Sequence, residues 1–337
     1  MAIKCAVVGY GPAHSMGAHH CNQIRNTPGL ELVAVADVSQ ERREAAAAEQ
    51  KVPVFASLTE LLAGSDAELI VLVTPHDTHA PLAIEALNAG RHVVTEKVMC
   101  LTVAEADQMI AAASRAGKML SVYHNRRWDG DYLTVRKIVE DGALGEVFDI
   151  QSAVGGYGRP RGWRAERKHG GGMLYDWGAH LVDQLVQMVP ADPVRVYATM
   201  QHRLWDVDVE THAKVTISFA NGCVGHIELS NISAMMPIRW LVRGEKGALS
   251  KDTLGGDSNV RVRKRSGEEF VEQEVKPLPT DWAAFYRNIS AHLNEGAELA
   301  VKPEEVRKAV AVIEAAFRSA AEERAVELTE LLSPAGR

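Results

Sequence analysis

The chain has 337 residues, 46% of them hydrophobic, which is more than one α/β core usually holds and predicts two domains. Its net charge of −7 comes from interspersed acids and bases, so no concentrated positive field draws in nucleic acid or an anionic membrane surface. No apolar run reaches the length of a membrane span, the segment before Gly9 is too short for a signal peptide's apolar core, and Cys5, Cys21, Cys100 and Cys223 show no Cys-x-x-Cys spacing, so reduced thiols in a cytoplasmic protein are expected.

Short β-branched runs at 3–8, 32–36, 69–73, 92–95 and 119–122 alternate with helical patterns at 17–25, 40–50, 79–89 and 103–116. That rhythm predicts a doubly wound parallel sheet of the α/β class. Gly90 and Gly117, each just past a helical pattern, read as C-terminal stops. From residue 123 the rhythm changes. A helix is expected over 127–141, ending at Gly142, and another after the glycine triplet at 170–172. Alternating runs follow at 194–201, 211–219, 223–231 and 238–242, with Asn221-Gly222 as a hairpin signal. Sequential strands joined by turns predict an α+β domain with a mostly antiparallel open sheet. Helices over 281–294 and 303–323 close the chain, the second beginning on Pro303 and expected near the domain junction. The predicted domains are 1–122 for a dinucleotide and 123–337 for substrate binding and oligomerisation.

Gly9-x-Gly11 follows the first strand directly and Gly17 opens the next helix. Glycines there permit a tight turn, let backbone amides approach a pyrophosphate and let the helix pack on the strand. The loop is enlarged, because five residues rather than two separate Gly11 from Gly17, and Pro12 within it has no N–H to offer. Asp37 ends the second strand, about 20 residues past Gly17, where a carboxylate accepts hydrogen bonds from a ribose diol and repels a 2′-phosphate. This favours NAD over NADP, while Arg42 and Arg43 a turn later keep dual use open. A tight turn with a capping Asp is the alternative reading of the glycine pair. Thr74-Pro75 and His79 follow the run at 69–73, where strand ends meet cofactors; a Pro-led helix start capped by Asp77 or Thr78 explains all of these residues but His79.

Glu96-Lys97 leaves the strand at 92–95, and Gly170-Gly171-Gly172 precedes Asp176 and His180. The last two stand four residues apart at a helix start, so both side chains leave one face. The ordinary readings are an exposed lysine, a capping Asp and a solvated His. Thirteen histidines invite a metal, yet neither His19 and His20 nor His76 and His79 has a third ligand at recognisable spacing, so none is expected.

Together these pieces resemble the glucose-fructose oxidoreductase/inositol dehydrogenase/rhizopine-catabolism (Gfo/Idh/MocA) family. The matching stretches are Gly9-x-Gly11, Gly17-x-x-His20, Val33-Ala34-Val35-Ala36-Asp37, Thr74-Pro75-x-x-x-His79, Glu96-Lys97, Asn125-Arg126-Arg127, Trp163-Arg164, Gly170-Gly171-Gly172-x-Leu174-x-Asp176-x-Gly178-x-His180-x-x-Asp183 and Ala316-Phe317-Arg318-Ser319-Ala320. The family's Glu-Lys-Pro reads Glu96-Lys97-Val98 here. The resemblance implies an N-terminal Rossmann domain, with Gly9, Gly11, Gly17, Asp37, Thr74, Pro75, His79, Glu96, Lys97 and Asn125 toward the cofactor. It implies that Lys97, Asp176 and His180 surround the substrate, and that the chain forms a homodimer or homotetramer through the open face of its second sheet.

The predicted activity is hydride transfer between a nicotinamide and a secondary alcohol or ketone of a sugar, inositol, sugar acid or related polyol. An imidazole suits proton transfer at neutral pH, with an unperturbed pKa of about 6.5. His180 is therefore favoured as acid/base, with Lys97 as its electrostatic partner and Asp176 orienting the imidazole or the substrate hydroxyl. The segment 155–169 is Gly-rich, basic and aromatic. Tyr157, Trp163 and Arg164 in it would cover a sugar ring; a surface or subunit-interface arm is the equal alternative. Two rival functions stand beside the dehydrogenase: glycoside cleavage or epimerisation with a retained, internally recycled NAD, and a non-catalytic dinucleotide-binding regulator. Retention of Lys97, Asp176 and His180 speaks against the regulator.

Overall fold

Strands buried on both faces must be mostly apolar, and the runs Ile3–Val8 (β1) and Leu69–Leu72 (β4) meet that demand. In the computed structural model, which describes residues 2–11 and 15–332, they lie side by side in a six-stranded parallel sheet of order β3-β2-β1-β4-β5-β6. The other members are Leu30–Ala36 (β2), Val54–Phe55 (β3), His92–Thr95 (β5) and Leu120–Val122 (β6). Helices Met16–Arg25 (α1), Gln40–Gln50 (α2), Leu58–Gly64 (α3), His79–Asn88 (α4) and Val103–Ala116 (α5) connect them. Because β1 pairs with both β2 and β4, winding reverses there and the ends of these strands form the switch point where doubly wound sheets take ligands. α5 starts on a capping box of Thr102 and Glu105 and stops at Gly117, which adopts φ 60°.

One expected boundary changes. The chain divides into two units, but the first contains Ala283–Arg307 as well as the residues up to His124; the second holds Asn125–Trp282 and the chain from Lys308. The returning helix Ala283–Glu295 (α8) buries Phe285, Tyr286 and Ile289 in the first unit. Its Ser290 hydroxyl donates to the Pro28 carbonyl at 2.6 Å, and the Phe285 and Tyr123 rings meet edge to face at 4.9 Å. A single cut between 122 and 123 misses this return, because helical periodicity does not say which core a helix buries its face in.

The second unit is α+β. Its nine-stranded sheet runs β14-β13-β12-β11-β7-β10-β9-β8-β15, from Val147–Gly155 (β7), Pro193–Gln201 (β8), His212–Phe219 (β9), Val224–Ser230 (β10), Trp240–Gly244 (β11), Gly247–Lys251 (β12), Val260–Ser266 (β13), Glu269–Val275 (β14) and Val326–Glu327 (β15). All neighbours are antiparallel except β7 and β10. The hairpin of β13 and β14 pairs Arg263 with Glu272 and Arg261 with Glu274, so cross-strand charge complements what little apolar surface it has. The helices are Gly130–Glu140 (α6), Ala179–Met188 (α7), Pro303–Glu322 (α9), inside which the unit boundary falls, and Thr329–Leu332 (α10). Among the described residues no helix is long and apolar enough to cross a membrane.

The helix expected over 127–141 is broken. A 3-10 turn covers Asn125–Trp128 and α6 begins only at Gly130. At the break, the Gly130 amide donates to Thr280 Oγ1 at 2.9 Å and Trp282 Nε1 donates to Asp129 Oδ1 at 2.6 Å. A Cβ on Gly130 would lie 1.8 Å from the Leu278 oxygen, and Asp129 before it is extended at φ −66° and ψ 130°, which separates the turn from α6.

Two buried ion pairs fix the core of this unit. Arg239 donates to Asp131 Oδ2 at 3.1 Å, Gln184 Oε1 at 2.9 Å and Ser152 Oγ at 2.5 Å. Arg127 grips Asp183 on α7 with two bonds, Nε to Oδ2 at 2.8 Å and Nη2 to Oδ1 at 2.7 Å. Asp183 thus holds α7 in place. Truncating one partner strands a buried charge, which costs about 3–5 kcal/mol. Arg127→Met is therefore expected to lower the stability read from urea unfolding by that amount, followed by tryptophan fluorescence, and Arg127→Met with Asp183→Leu to recover part of it; single and double variants equally stable to the parent would remove this role.

Candidate active site

β1 runs into Gly9 at φ 104°, where a Cβ would lie 2.2 Å from the carbonyl oxygen of Val73 beyond β4. A Cβ on Gly17 would lie 2.5 Å from the Gly9 oxygen. Strand, turn and helix therefore close in a space that only glycine permits. Among the described residues nothing lies within 4 Å of a Cβ position at Gly11; Pro12 lies outside them. Asp37 leaves β2 with its carboxylate drawn to this turn, Oδ2 accepting the Tyr10 amide at 2.6 Å and Oδ1 the Ser39 amide at 2.8 Å. Arg43 Nη1 donates to the carbonyls of Asp37 and Val38, at 2.8 and 3.0 Å. Glycines packed at the end of β1 and the start of α1, beside a carboxylate at the next strand's end, fit a dinucleotide: close backbone approach for the pyrophosphate and an acceptor for the ribose.

The turn after β4 is tied to itself, Thr78 Oγ1 lying 2.6 Å from both the Thr74 hydroxyl and the Pro75 carbonyl. The His79 ring is fully buried and reaches two carbonyls, Val98 from Nδ1 at 2.7 Å and Thr74 from Nε2 at 3.0 Å. It joins the segments that leave β4 and β5. Burial lowers its pKa, partly opposed by those two bonds and by Glu96.

Glu96 is buried at the end of β5. Its Oε1 lies 3.0 Å from His20 Nε2, its Oε2 accepts the Lys97 amide at 3.0 Å, and His20 Nδ1 lies 2.6 Å from the Tyr286 hydroxyl on α8. Burial would raise the Glu96 carboxyl, but the hydrogen bond and charge of His20, then Lys97, hold it down at about 2. The backbone of the half-buried Lys97 is thus fixed by an ionised neighbour, and the Lys97–Val98 peptide is cis.

In the second unit the glycine triplet threads between carbonyls. The Gly171 amide donates to the Glu166 oxygen and the Gly172 amide to the Arg164 oxygen, each at 3.0 Å. Gly172 adopts φ 100°, and a Cβ there would lie 2.4 Å from both carboxylate oxygens of Glu210. Leu174–Gly178 then winds as a π-turn before α7. Since such a turn closes i→i+5 rather than i→i+4, four residues is still close to one turn, and Asp176 and His180 keep a common face. The Asp176 carboxylate faces Arg164 Nε at 3.4 Å, and the Arg164 guanidinium lies 4.4 Å over the Trp163 ring. Trp177 meets the buried His180 ring at 6.2 Å and carries the Arg126 guanidinium at 4.3 Å on its face.

Each unit thus gathers its own part of the predicted set. Gly9, Gly17 and Asp37 converge in the first, and Glu96, Lys97 and His79 share one linkage through Val98. Trp163, Arg164 and Asp176 converge in the second. Asn125 is buried at the start of the second unit. Tyr157 is 62% exposed and packs on Trp205 at 5.9 Å. Sequence reasoning gave no role to His20, Tyr286, Trp177 or Glu210. His20 carried a signal in its fixed spacing from Gly17, and Trp177 lies beside Asp176 within the motif, whereas Tyr286 and Glu210 come from distant parts of the chain.

Comparison with known proteins agrees with this architecture. A family model described as an oxidoreductase family with an NAD-binding Rossmann fold matches residues 3–124, and the GFO/IDH/MocA C-terminal domain matches 132–250. The chain is 30% identical to the uncharacterized oxidoreductase YdgJ of Escherichia coli, over 94% of this chain and 96% of that one. It is 27% identical to the scyllo-inositol 2-dehydrogenase (NADP(+)) IolW of Bacillus subtilis, over 97% and 96% of the two chains. Among solved structures, an NAD-binding protein from Listeria innocua superposes with a TM-score of 0.87 at 32% identity, covering 97% of each chain.

The buried Glu96 linkage has a pH signature. The carboxyl moves from 4.5 to about 2 on folding. Between these values the unfolded chain binds a proton that the fold refuses, so stability falls as pH drops through this window and is level above it. The stability difference between the parent and Glu96→Gln is expected to be constant above about pH 4.5 and to shrink toward about pH 2, measured by urea unfolding across the acid range; a difference independent of pH would show that Glu96 is not held ionised.

Proposed function

The chain belongs to the Gfo/Idh/MocA family of oxidoreductases, with an NAD-binding Rossmann domain, and from that premise we propose that it oxidises a secondary alcohol, or reduces the matching ketone, of a sugar, inositol, sugar acid or related polyol. The observation that carries this reading is the Asp176 carboxylate facing Arg164 on the π-turn that leads into α7, the helix that bears His180. The name of the inositol dehydrogenase relative supports the polyol class.

The bound dinucleotide supplies a hydride acceptor or donor at its nicotinamide ring. The chain's own residues do the remainder. Gly9, Gly11 and Gly17 leave room for the pyrophosphate, Asp37 takes the ribose diol, and Thr74, Pro75 and Asn125 complete the cofactor's surroundings, with His79 and Glu96 shaping the backbone on which Lys97 stands. Asp37 disfavours a 2′-phosphate and Arg43 Nη1 is bonded to backbone carbonyls, which favours NAD, while Arg42 and Arg43 keep NADP open. His180 takes the hydroxyl proton in the oxidative direction, and Lys97 stabilises the oxygen as that proton leaves. Arg164 keeps Asp176 oriented, and Trp163 and Tyr157 offer faces for sugar C–H surfaces. The four buried cysteine thiols support a reducing, cytoplasmic setting.

The assembly is proposed to be a homodimer or homotetramer that packs through the open face of the second sheet. Tyr197, Thr216, His226 and Gln151 form one half-exposed row across β8, β9, β10 and β7. Tyr197→Asp with Thr216→Arg is expected to reduce the mass measured by light scattering without changing circular dichroism; an unchanged mass would place the interface elsewhere.

The activity test is a panel of sugars, inositols and sugar acids with NAD and NADP, following absorbance of the reduced nucleotide. His180→Ala is expected to lower kcat by about 10²–10⁴-fold and flatten its pH profile. Normal turnover in His180→Ala, with loss in Lys97→Ala, would transfer the proton to Lys97. Failure to bind any nicotinamide nucleotide in calorimetry at millimolar concentration would remove the reading. A cofactor that survives purification without net release of reduced nucleotide would assign the recycling chemistry instead.

A further inference from the structure

The turn that carries Asp176 toward α7 is held by a carboxyl group from a distant part of the chain. Glu210, two residues before β9, is 1% exposed. Its Oε1 accepts the Leu174 amide at 2.8 Å, and Gly172 passes so close that no side chain fits between them. The Asp176 amide donates to the Gly172 oxygen at 3.1 Å, so the backbone that Glu210 touches is directly bonded to the backbone of Asp176. The first amides of a helix bear partial positive charge and lack intrahelical partners. Glu210 therefore acts as a cap delivered through space.

We propose that Glu210, buried against Gly172 and bonded to the Leu174 amide, is a positioning residue whose carboxyl, by gaining or losing a proton, sets the placement of Gly172–Leu174 and through them of Asp176 and His180. The proposal rests on the reading of those two as the reacting groups. Ionised, Glu210 makes a charge-assisted bond to the turn. Protonated, one of its oxygens becomes a donor in surroundings furnished by the Met173 and Leu174 amides, which are donors themselves.

The surrounding charges leave Glu210 close to balance. Burial pushes its carboxyl up to about 7, opposed by the Leu174 amide, its own amide, Arg167 and the Met173 amide. Arg167 is itself engaged with Asp208, through its amide at 2.8 Å and Nε at 3.3 Å. Arg164 is turned to Asp176, and Glu166 to Lys168 at 2.9 Å and His169 at 3.9 Å. On β9, Lys214 pairs with Glu228 at 3.3 Å, and His212 is half-buried at the strand's start. Since the fold keeps a proton that the unfolded chain has lost, the stability contributed by Glu210 falls as pH rises from 4.5 to about 7.

The test compares the parent with Glu210→Gln and Glu210→Ala. With selective ¹⁵N-leucine labelling, the Leu174 amide resonance of the parent is expected to shift in one step near pH 7, and that of Glu210→Gln to stay flat. Enzymatically, Glu210→Ala lowers kcat by about tenfold or more with nucleotide affinity in calorimetry unchanged. Glu210→Gln recovers most of that turnover but loses the limb of the pH profile near 7. A Leu174 amide without a step in the parent, a step that survives in Glu210→Gln, or an alanine variant as active as the parent overturns the proposal. Should Glu210→Ala fail to fold, the profile of Glu210→Gln decides. If the parent turns over no substrate of the panel, the reading of Asp176 and His180 fails, whereas the Leu174 resonance still decides whether Glu210 titrates against the turn.

Discussion

At Gly9 and again at Gly172 the backbone passes nearer to a neighbouring oxygen than a Cβ allows, the Val73 carbonyl in one case and the Glu210 carboxylate in the other. Much of each proposed site follows from that closeness. At Gly9, β1 can turn directly over the end of β4, which places the Tyr10 amide against Asp37 at the switch point. At Gly172, the chain can lie on a buried carboxyl group and enter a π-turn instead of a regular helix. A side chain at either point would push the turn away from the groups it serves.

Around these turns, much of the polar chemistry supports the backbone. His79 ties two strand-end segments together, Glu96 holds the Lys97 amide, and His20, itself bonded to Tyr286, holds Glu96. Asp183, three residues beyond His180 on α7, sets both of its carboxylate oxygens on Arg127. A residue type at a fixed motif position can therefore be demanded by its support of a reacting group. Buried charges of this kind are expensive unless fully partnered, and here they sit where the backbone must not move.

The first sheet was legible because strands covered on both faces have to be apolar along most of their length, as β1 and β4 are. The short β3 and α3 between residues 54 and 64 escaped notice, since two residues of strand carry no periodicity. In the second unit β12, β13 and β14 were also missed; β12 is only five residues long, and the Arg, Lys and Glu of β13 and β14 find their partners only when the register pairs them across the hairpin. The break at Asp129 was hidden because its causes, Leu278, Thr280 and Trp282, lie about 150 residues away. For the site, Gly9, Asp37, Lys97, Asp176 and His180 stand out through spacing from strand ends and glycines. Glu210 does not, as nothing near it in sequence shows that it faces Gly172.

Local order alone determined the alternation of strands and helices in the first unit, the glycine turn with its acid one strand later, and the acid and imidazole a turn apart. Each depends on residues close in the chain, so periodicity and spacing suffice to reveal it. Tertiary structure decided which core α8 joins, where the helix after Asn125 breaks, that the motif helix begins with a π-turn, and that a carboxyl from residue 210 caps it. Those outcomes depend on which distant atoms occupy the same few ångströms, and burial then fixes the energy and protonation of the groups that meet there.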